Sequence, residues 1–140
     1  IAKTRPECRL LMSVPGIGYV SALAFMGAID TPERFVRSRA VGAHLGLVPK
    51  QHQSGDVDRL GEISKCGDAY VRTVLVEAAN SLLIRCQKPS PLRTWGLALE
   101  KRSGPKKART ALARKLAVIM HSVWRSGRPY ATELPARISA

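Results

Sequence analysis

Apolar residues recur every three or four positions along most of this chain, which is the spacing of amphipathic α-helices. The pattern is strongest in two segments, which we predict as long helices over about residues 68–87 and 105–126. Asp68 is a candidate N-cap for the first helix, and Gly127 is a candidate C-cap for the second. Both helices therefore carry a residue that is typical of a helix boundary.

Shorter apolar segments predict four further helices in the same fold. They cover residues 8–12, 19–28, 39–45 and 92–101. Pro15 separates the first two segments, and Pro89 and Pro91 end the first long helix. No internal repeat is evident, and the predicted fold class is all-α.

Residues 46–66 lose the helical periodicity altogether. We predict one long nonperiodic loop there, with a short hairpin around Ser54-Gly55-Asp56. Residues 129–140 are predicted as a flexible tail. The expected organisation is a single compact helical domain over residues 1–128, interrupted by this loop.

The chain is strongly basic, and this excess of positive charge indicates the class of partner that it binds. The 140 residues hold 23 Lys and Arg against 10 Asp and Glu, a formal charge of +13. From Lys101 onward ten basic residues stand against one acid, Glu133. This balance favours a nucleic-acid partner, with a merely solvated basic face as the alternative.

Cysteine content and hydropathy indicate an intracellular protein. The three cysteines, Cys8, Cys66 and Cys86, form no CxxC pair, and we expect reduced thiols. No apolar run approaches the roughly 18 residues of a membrane span, so no membrane partner is expected. The chain opens on Ile1 rather than methionine, and we therefore expect a fragment of a longer protein.

The sequence Gly16-Ile17-Gly18 lies between two predicted helices and is typical of a helix-hairpin-helix motif over residues 8–28. Glycines let the backbone approach a phosphate, and the N–H groups that open the second helix can bind it. Gly16 and Gly18 are thus candidate phosphate contacts. The alternative is a tight corner between two helices that contacts no ligand.

Ser54 is the candidate catalytic residue of the nonperiodic loop. Its hydroxyl is a possible nucleophile, and Gly55 would keep the backbone open for a phosphate. His52 would share a face with Ser54 in an extended stretch and is a possible assisting base. The alternatives are an ordinary Ser-Gly turn and a surface histidine.

Cations cluster around this loop and along the last predicted helix. They are candidate ligands for phosphate or DNA, and on the helix the alternative is the solvated side of an amphipathic surface. The candidates are Lys50, Arg59, Lys65 and Arg72 near the loop and Lys106, Lys107, Arg109 and Arg114 on the helix. No group of His, Cys, Asp and Glu has metal-ligand spacing, so no metal site and no cofactor are predicted in this chain.

Several motifs, taken in order, resemble the C-terminal domain of the IS110-type insertion-sequence transposases, which the Piv-type DNA invertases share. The resemblance covers about residues 8–128. Its motifs are Ser13-Val14-Pro15-Gly16-Ile17-Gly18, Leu45-Gly46-Leu47-Val48-Pro49, Gln53-Ser54-Gly55, Gly61-Glu62-Ile63-Ser64-Lys65-Cys66-Gly67-Asp68 with Arg72 and Leu75, and Ala111-Leu112-Ala113-Arg114-Lys115-Leu116-Ala117.

This resemblance implies a DNA transposase or site-specific recombinase. The family's essential serine falls on Ser54, which is expected to attack a phosphodiester and hold the DNA as a phosphoserine. An N-terminal RuvC-like domain, absent from this chain, is expected to bind divalent metal (Mg²⁺). A guiding noncoding RNA and homo-oligomers are expected for the full-length protein, in the cytoplasm of a bacterium or archaeon at its nucleoid.

Two consequences of the resemblance concern activity. The full-length protein is expected to be the enzyme, and the isolated fragment is expected to be inactive because the acidic domain is missing. The alternative function is a non-enzymatic helix-hairpin-helix module that binds DNA or RNA.

Overall fold

The computed structural model describes residues 5–47, 49–51, 60–63, 68–86 and 89–130. Across these ranges the chain forms six α-helices, one 3-10 turn and two short strands. The all-α fold class predicted from the sequence is confirmed, with a two-stranded ribbon added to it. The helices are α1 (Pro6–Met12), α2 (Tyr19–Ile29), α3 (Arg39–His44), α4 (Ala69–Ile84), α5 (Pro91–Ser103) and α6 (Pro105–Ser126), and the 3-10 turn is Pro32–Arg34.

Local chemistry explains where the long helices begin and end. The Asp68 side chain accepts hydrogen bonds from the backbone N–H groups of Tyr70 at 2.9 Å and Val71 at 3.4 Å, which confirms it as the N-cap of α4. Gly127 ends α6 in the left-handed region at φ 73°, a conformation that glycine adopts without steric cost. α4 ends at Ile84, before the predicted position 87.

Helix α6 lies at the centre of the fold and packs against α1, α3, α4, α5 and the 3-10 turn. One side of α6 is buried, and its side chains there, among them Leu112, Leu116 and Met120, are inaccessible to solvent. Leu75 and Leu82 of α4 complete the same core. Burial of these side chains, rather than helix propensity, holds the bundle together.

The cysteines and the C-terminal segment of the described chain are also subjects of sequence predictions. Cys8 is buried in α1 and Cys86 is half-buried after α4, whereas Cys66 lies outside the described residues. Tyr130, within the predicted tail, donates its backbone N–H to Ser13 Oγ at 2.8 Å. In the described ranges, no helix combines the length and the apolar character needed to cross a membrane.

Gly96 lets α5 approach both α4 and α6. A Cβ atom at this position would lie 2.8 Å from Leu83 Cδ2 and 3.2 Å from Leu112 Cδ2. Both leucines are buried, so they have little free space to move into. The absence of a side chain at Gly96 therefore sets the distance between the three helices.

Replacing Gly96 by alanine should lower the free energy of unfolding by about 1–3 kcal/mol, because the new methyl group overpacks the core. Gly27→Ala is the matched control, since Gly27 also lies inside a helix but a methyl group there would meet no atom of the described residues within 4 Å. That substitution should stabilise the protein by about 0.5–1 kcal/mol. Urea unfolding of both variants measures the two changes, and equal effects would contradict the packing argument.

Strands β1 (Pro49–Gln51) and β2 (Leu60–Ile63) pair antiparallel and form the ribbon. Pro49 pairs with Ile63 and Gln51 with Leu60, so β2 carries one extra residue and the ribbon contains a bulge. The strands lead into and out of residues 52–59, which include Ser54 and lie outside the described residues. The antiparallel pairing is the one that a hairpin around Ser54 requires.

Candidate functional site

The ribbon begins directly after a fixed corner at the end of α3. The Gly46 N–H donates to Ala43 O at 3.0 Å, and the Leu47 N–H donates to Gly42 O at 2.9 Å. This is the Schellman arrangement, and Gly46 adopts the positive φ of 74° that it needs. Leu47 is fully buried beyond it, so the chain enters β1 from an anchored position.

Arg72 of α4 holds the same corner from the other side. Its Nη1 donates to the carbonyl oxygen of Leu45 at 3.2 Å, which satisfies one of the free carbonyl groups at the end of α3. From the sequence, Arg72 is a candidate phosphate ligand. The structure shows this guanidinium in contact with the backbone at the base of the ribbon.

The serine loop and its flanks contain several of the other predicted site residues. Ser54, His52, Gly55, Arg59 and Lys65 lie outside the described residues. Lys50 lies on β1, where only its backbone is described. Their roles as nucleophile, assisting base and phosphate ligands therefore stay predictions.

A buried histidine, His121 of α6, ties the segment before α3 to the core. His121 is fully buried; its Nε2 lies 2.8 Å from Pro32 O and its Nδ1 lies 2.8 Å from Ser38 Oγ. Since a carbonyl oxygen only accepts, Nε2 donates to Pro32. Ser38 is the N-cap residue of α3, so this contact positions the helix that leads to the ribbon.

The hydrogen bonds of His121 are not evident from the sequence, where this histidine reads as a packing or surface residue. Its place on the apolar side of α6, next to Met120, was the available signal. A polar side chain on such a side must find hydrogen-bond partners inside the protein. Arg125, one turn later, donates to Val36 O and fixes the same segment.

The two glycines of the Gly-Ile-Gly turn have different surroundings. Gly16 has a φ of +84°, and a Cβ there would lie 3.0 Å from Ala78 O of α4. Gly18 is the exposed N-cap residue of α2, and a Cβ there would meet no described atom within 4 Å. Close packing on α4 accounts for Gly16, whereas phosphate binding at either glycine stays a prediction.

Three of the predicted cations of α6, Lys106, Lys107 and Arg109, lie in its first turns, and Arg114 lies near its middle. Lys106 and Lys107 are exposed in the first turn, whereas His121 follows fifteen residues after Lys106, about 22 Å along the axis. Arg109 and Arg114 are half-buried, and Arg109 Nε has no hydrogen-bond partner among the described residues. Lys106 and Lys107 are thus well separated along α6 from His121, which anchors α3.

Two exposed cations outside the predicted site join Lys106 and Lys107. They are Lys101 and Arg102 at the end of α5, and Gly104 at φ 91° connects the two helices. We call these four side chains the basic corner. No acidic residue occupies the first turn of α6, so the positive end of the helix dipole adds to their charge.

Comparison with known proteins decides the family. The sequence model of the Transposase IS116/IS110/IS902 family matches residues 8–94. This chain belongs to that transposase family. The resemblance noted in the sequence is therefore confirmed, and the matched region includes both strands of the ribbon and the segment that holds Ser54.

Relatives of this transposase domain carry consistent names. The transposase for insertion sequence element IS1111A of Coxiella burnetii is 38% identical over 121 residues, covering 86% of this chain and 33% of the relative. A probable family 20 transposase of Pseudomonas aeruginosa is 38% identical over 122 residues, covering 85% and 36%. The pilin gene-inverting protein of Moraxella bovis is 27% identical over 123 residues, covering 86% and 38%. The chain spans about a third of the length of these relatives.

Proposed function

We propose that this chain is the serine-bearing C-terminal domain of a DNA transposase that cleaves and rejoins strands through a phosphoserine. The observation that carries the proposal is the family match across the ribbon and the Ser54 segment. The names of the relatives, two transposases and a gene-inverting protein, support DNA rearrangement as the activity of the full-length protein. Its location would be the bacterial or archaeal cytoplasm, at the nucleoid.

In the proposed reaction, Ser54 Oγ attacks the phosphorus atom of the scissile phosphodiester. A bond forms between Oγ and phosphorus while the bond from phosphorus to the 3′ oxygen breaks. The serine proton passes to a base, and the departing 3′ oxygen takes up a proton. A different 3′-hydroxyl then attacks the phosphoserine, which restores Ser54 and joins the new strand without consuming ATP.

The described scaffold suits a nucleophile that must be held against a strand. The Schellman corner and Arg72 anchor β1 to α3 and α4, and His121 anchors α3 to α6. A segment whose entry is attached to a packed core loses less entropy when it meets its substrate than a free segment does. In this proposal Arg72 acts by positioning the ribbon.

DNA binding is assigned to the cations of α5 and α6. The basic corner, with Arg109 and Arg114 behind it, would contact phosphates without reading sequence, because Lys and Arg contacts to the backbone carry no base information. Salt should therefore weaken the binding steeply. The same surface also serves the alternative function, a module that binds nucleic acid without chemistry.

Other parts of the proposal concern the full-length protein. We expect an acidic RuvC-like domain that supplies Mg²⁺, a guiding noncoding RNA and assembly into homo-oligomers. In the described residues of this chain no three His, Cys, Asp or Glu side chains form a possible metal site. The described residues of this chain therefore do not fit an Mg²⁺ site. The reaction steps proposed for Ser54 do not use the metal.

Covalent trapping tests the proposal. The full-length protein is incubated with a nicked suicide substrate, whose short cleaved fragment diffuses away and prevents rejoining. We expect a protein–DNA adduct that survives denaturation, with the DNA mapped to Ser54 by mass spectrometry. Tight DNA binding without any adduct would instead favour the non-enzymatic module, and an adduct on another residue would remove Ser54 from the mechanism.

A further inference from the structure

Trp95 of α5 combines a fixed ring with an open groove. Lys115 of α6 places its Nζ 4.4 Å from the centroid of the indole, a cation–π contact between the two helices. The ring is half-buried and packs against the edge of the core. It also lines a shallow groove of about 530 Å³ whose other walls are Pro89, Ser90, Pro91 and Thr94.

The chain segments that form and face this groove contain cations and no acidic residue. The sequence contains no Asp or Glu between Glu77 and Glu100, whereas Arg93 lies within that stretch. On the facing helix, Arg114 and Lys115 follow one another and α6 carries no acidic residue. A shallow, apolar groove beside an aromatic ring, with Lys115 at the ring, is complementary to a nucleobase attached to a phosphate.

We propose that this groove binds the base of an unpaired nucleotide, with Trp95 in contact with the base and Arg114 and Lys115 near its phosphate. The inference rests on the proposed function in one respect, that the chain's partner is nucleic acid. A base inside a duplex is stacked between its neighbours and presents only its edges, so it cannot enter the groove. The groove therefore distinguishes single strands from duplex, which the basic corner does not.

The contact between Lys115 and Trp95 joins two helices and restricts the indole ring. The ammonium holds the indole in one orientation before any ligand arrives. Binding a base then costs less conformational entropy than it would on a freely rotating ring.

Tryptophan fluorescence tests the proposal directly because the chain has two tryptophans, Trp95 and Trp124. Trp124 packs against Phe25 with ring centroids 6.4 Å apart and does not line the groove, so Trp124→Phe leaves Trp95 as the only tryptophan of these 140 residues. This variant is titrated with a single-stranded DNA, an RNA of the same sequence and the blunt duplex. We expect the unpaired strands to quench the emission at saturation and the duplex to leave it unchanged.

Comparing the titrations with RNA and with single-stranded DNA shows which of the two supplies the unpaired nucleotide. Quenching by either one supports the proposal. Absence of quenching by both, although the strands bind, would overturn it. Equal quenching by the duplex would overturn it as well. If neither strands nor duplex bind, the proposed nucleic-acid partner itself fails, which separates that failure from the failure of the groove.

Substitution of the ring supplies an independent measurement. Trp95→Leu should weaken single-strand binding by about 5- to 150-fold, the loss of one stacked base, and should change duplex affinity by less than about twofold. Trp95→Phe, which keeps an aromatic ring and guards against misfolding, should retain part of the single-strand affinity. Single-strand affinity that is unchanged in Trp95→Leu would contradict the proposal.

Discussion

Ser54→Ala in the full-length protein is expected to abolish strand exchange while leaving DNA affinity within about twofold. Alanine lacks the hydroxyl that forms the bond to phosphorus, so the reaction loses its covalent intermediate. Removing the nucleophile of a serine enzyme costs several orders of magnitude, and we expect at least about a 10⁴-fold loss of recombination rate. A recombination assay on a donor–target pair measures the rate, and a salt-matched binding assay measures the affinity.

Ser64→Ala is the matched control for this experiment. Ser64 lies in the same predicted loop of the sequence, and its substitution removes an identical hydroxyl. It should leave the recombination rate within a few-fold of the natural protein. A Ser54→Ala protein that still recombines, or an equal loss in both variants, would show that the Ser54 hydroxyl is not the nucleophile.

His121→Ala is expected to lower the free energy of unfolding by about 3 kcal/mol. The substitution leaves a cavity in a fully buried position and removes the hydrogen bonds to Pro32 O and Ser38 Oγ. Each of these two terms costs about 1–3 kcal/mol, and partial relaxation of the surroundings reduces their sum. Denaturant unfolding followed by circular dichroism measures the change.

His44→Ala is the control for His121, because both histidines contact the Phe35 ring, at centroid distances of 5.1 Å for His44 and 5.9 Å for His121, and His44 is only half-buried. It should cost about 1 kcal/mol or less, since it leaves neither a sealed cavity nor a lost pair of buried hydrogen bonds. Equal losses in the two variants would mean that His121 contributes only its ring contact. A larger loss for His121 would support its role in holding the segment before α3.

The helices were predictable because each carries its own signal in neighbouring residues. Apolar spacing identified α4 and α6, and Asp68 and Gly127 marked two of their ends. These features depend on residues within one or two helical turns of each other, so the sequence of one segment is enough to recognise them. The Schellman corner at Gly46 was less evident, because a glycine after a short helix is equally common in ordinary loops.

The ribbon was harder to predict than the helices. Its strands are three and four residues long, too short for an alternating pattern to stand out. From the sequence, both strands therefore fall in a nonperiodic loop, with only a short hairpin expected at its centre. Pairing between Pro49 and Ile63, fourteen residues apart, is what turns these segments into strands.

The sequence by itself determined the all-α class, the order of the helices, the strong positive charge and the motifs that identify the transposase family. Only the tertiary structure decided that Arg72 contacts the corner before β1, that His121 anchors α3, and that Lys115 contacts Trp95. The physical reason is separation along the chain. Each of these contacts joins residues 20 to 83 positions apart, and such contacts exist only once the helices have packed.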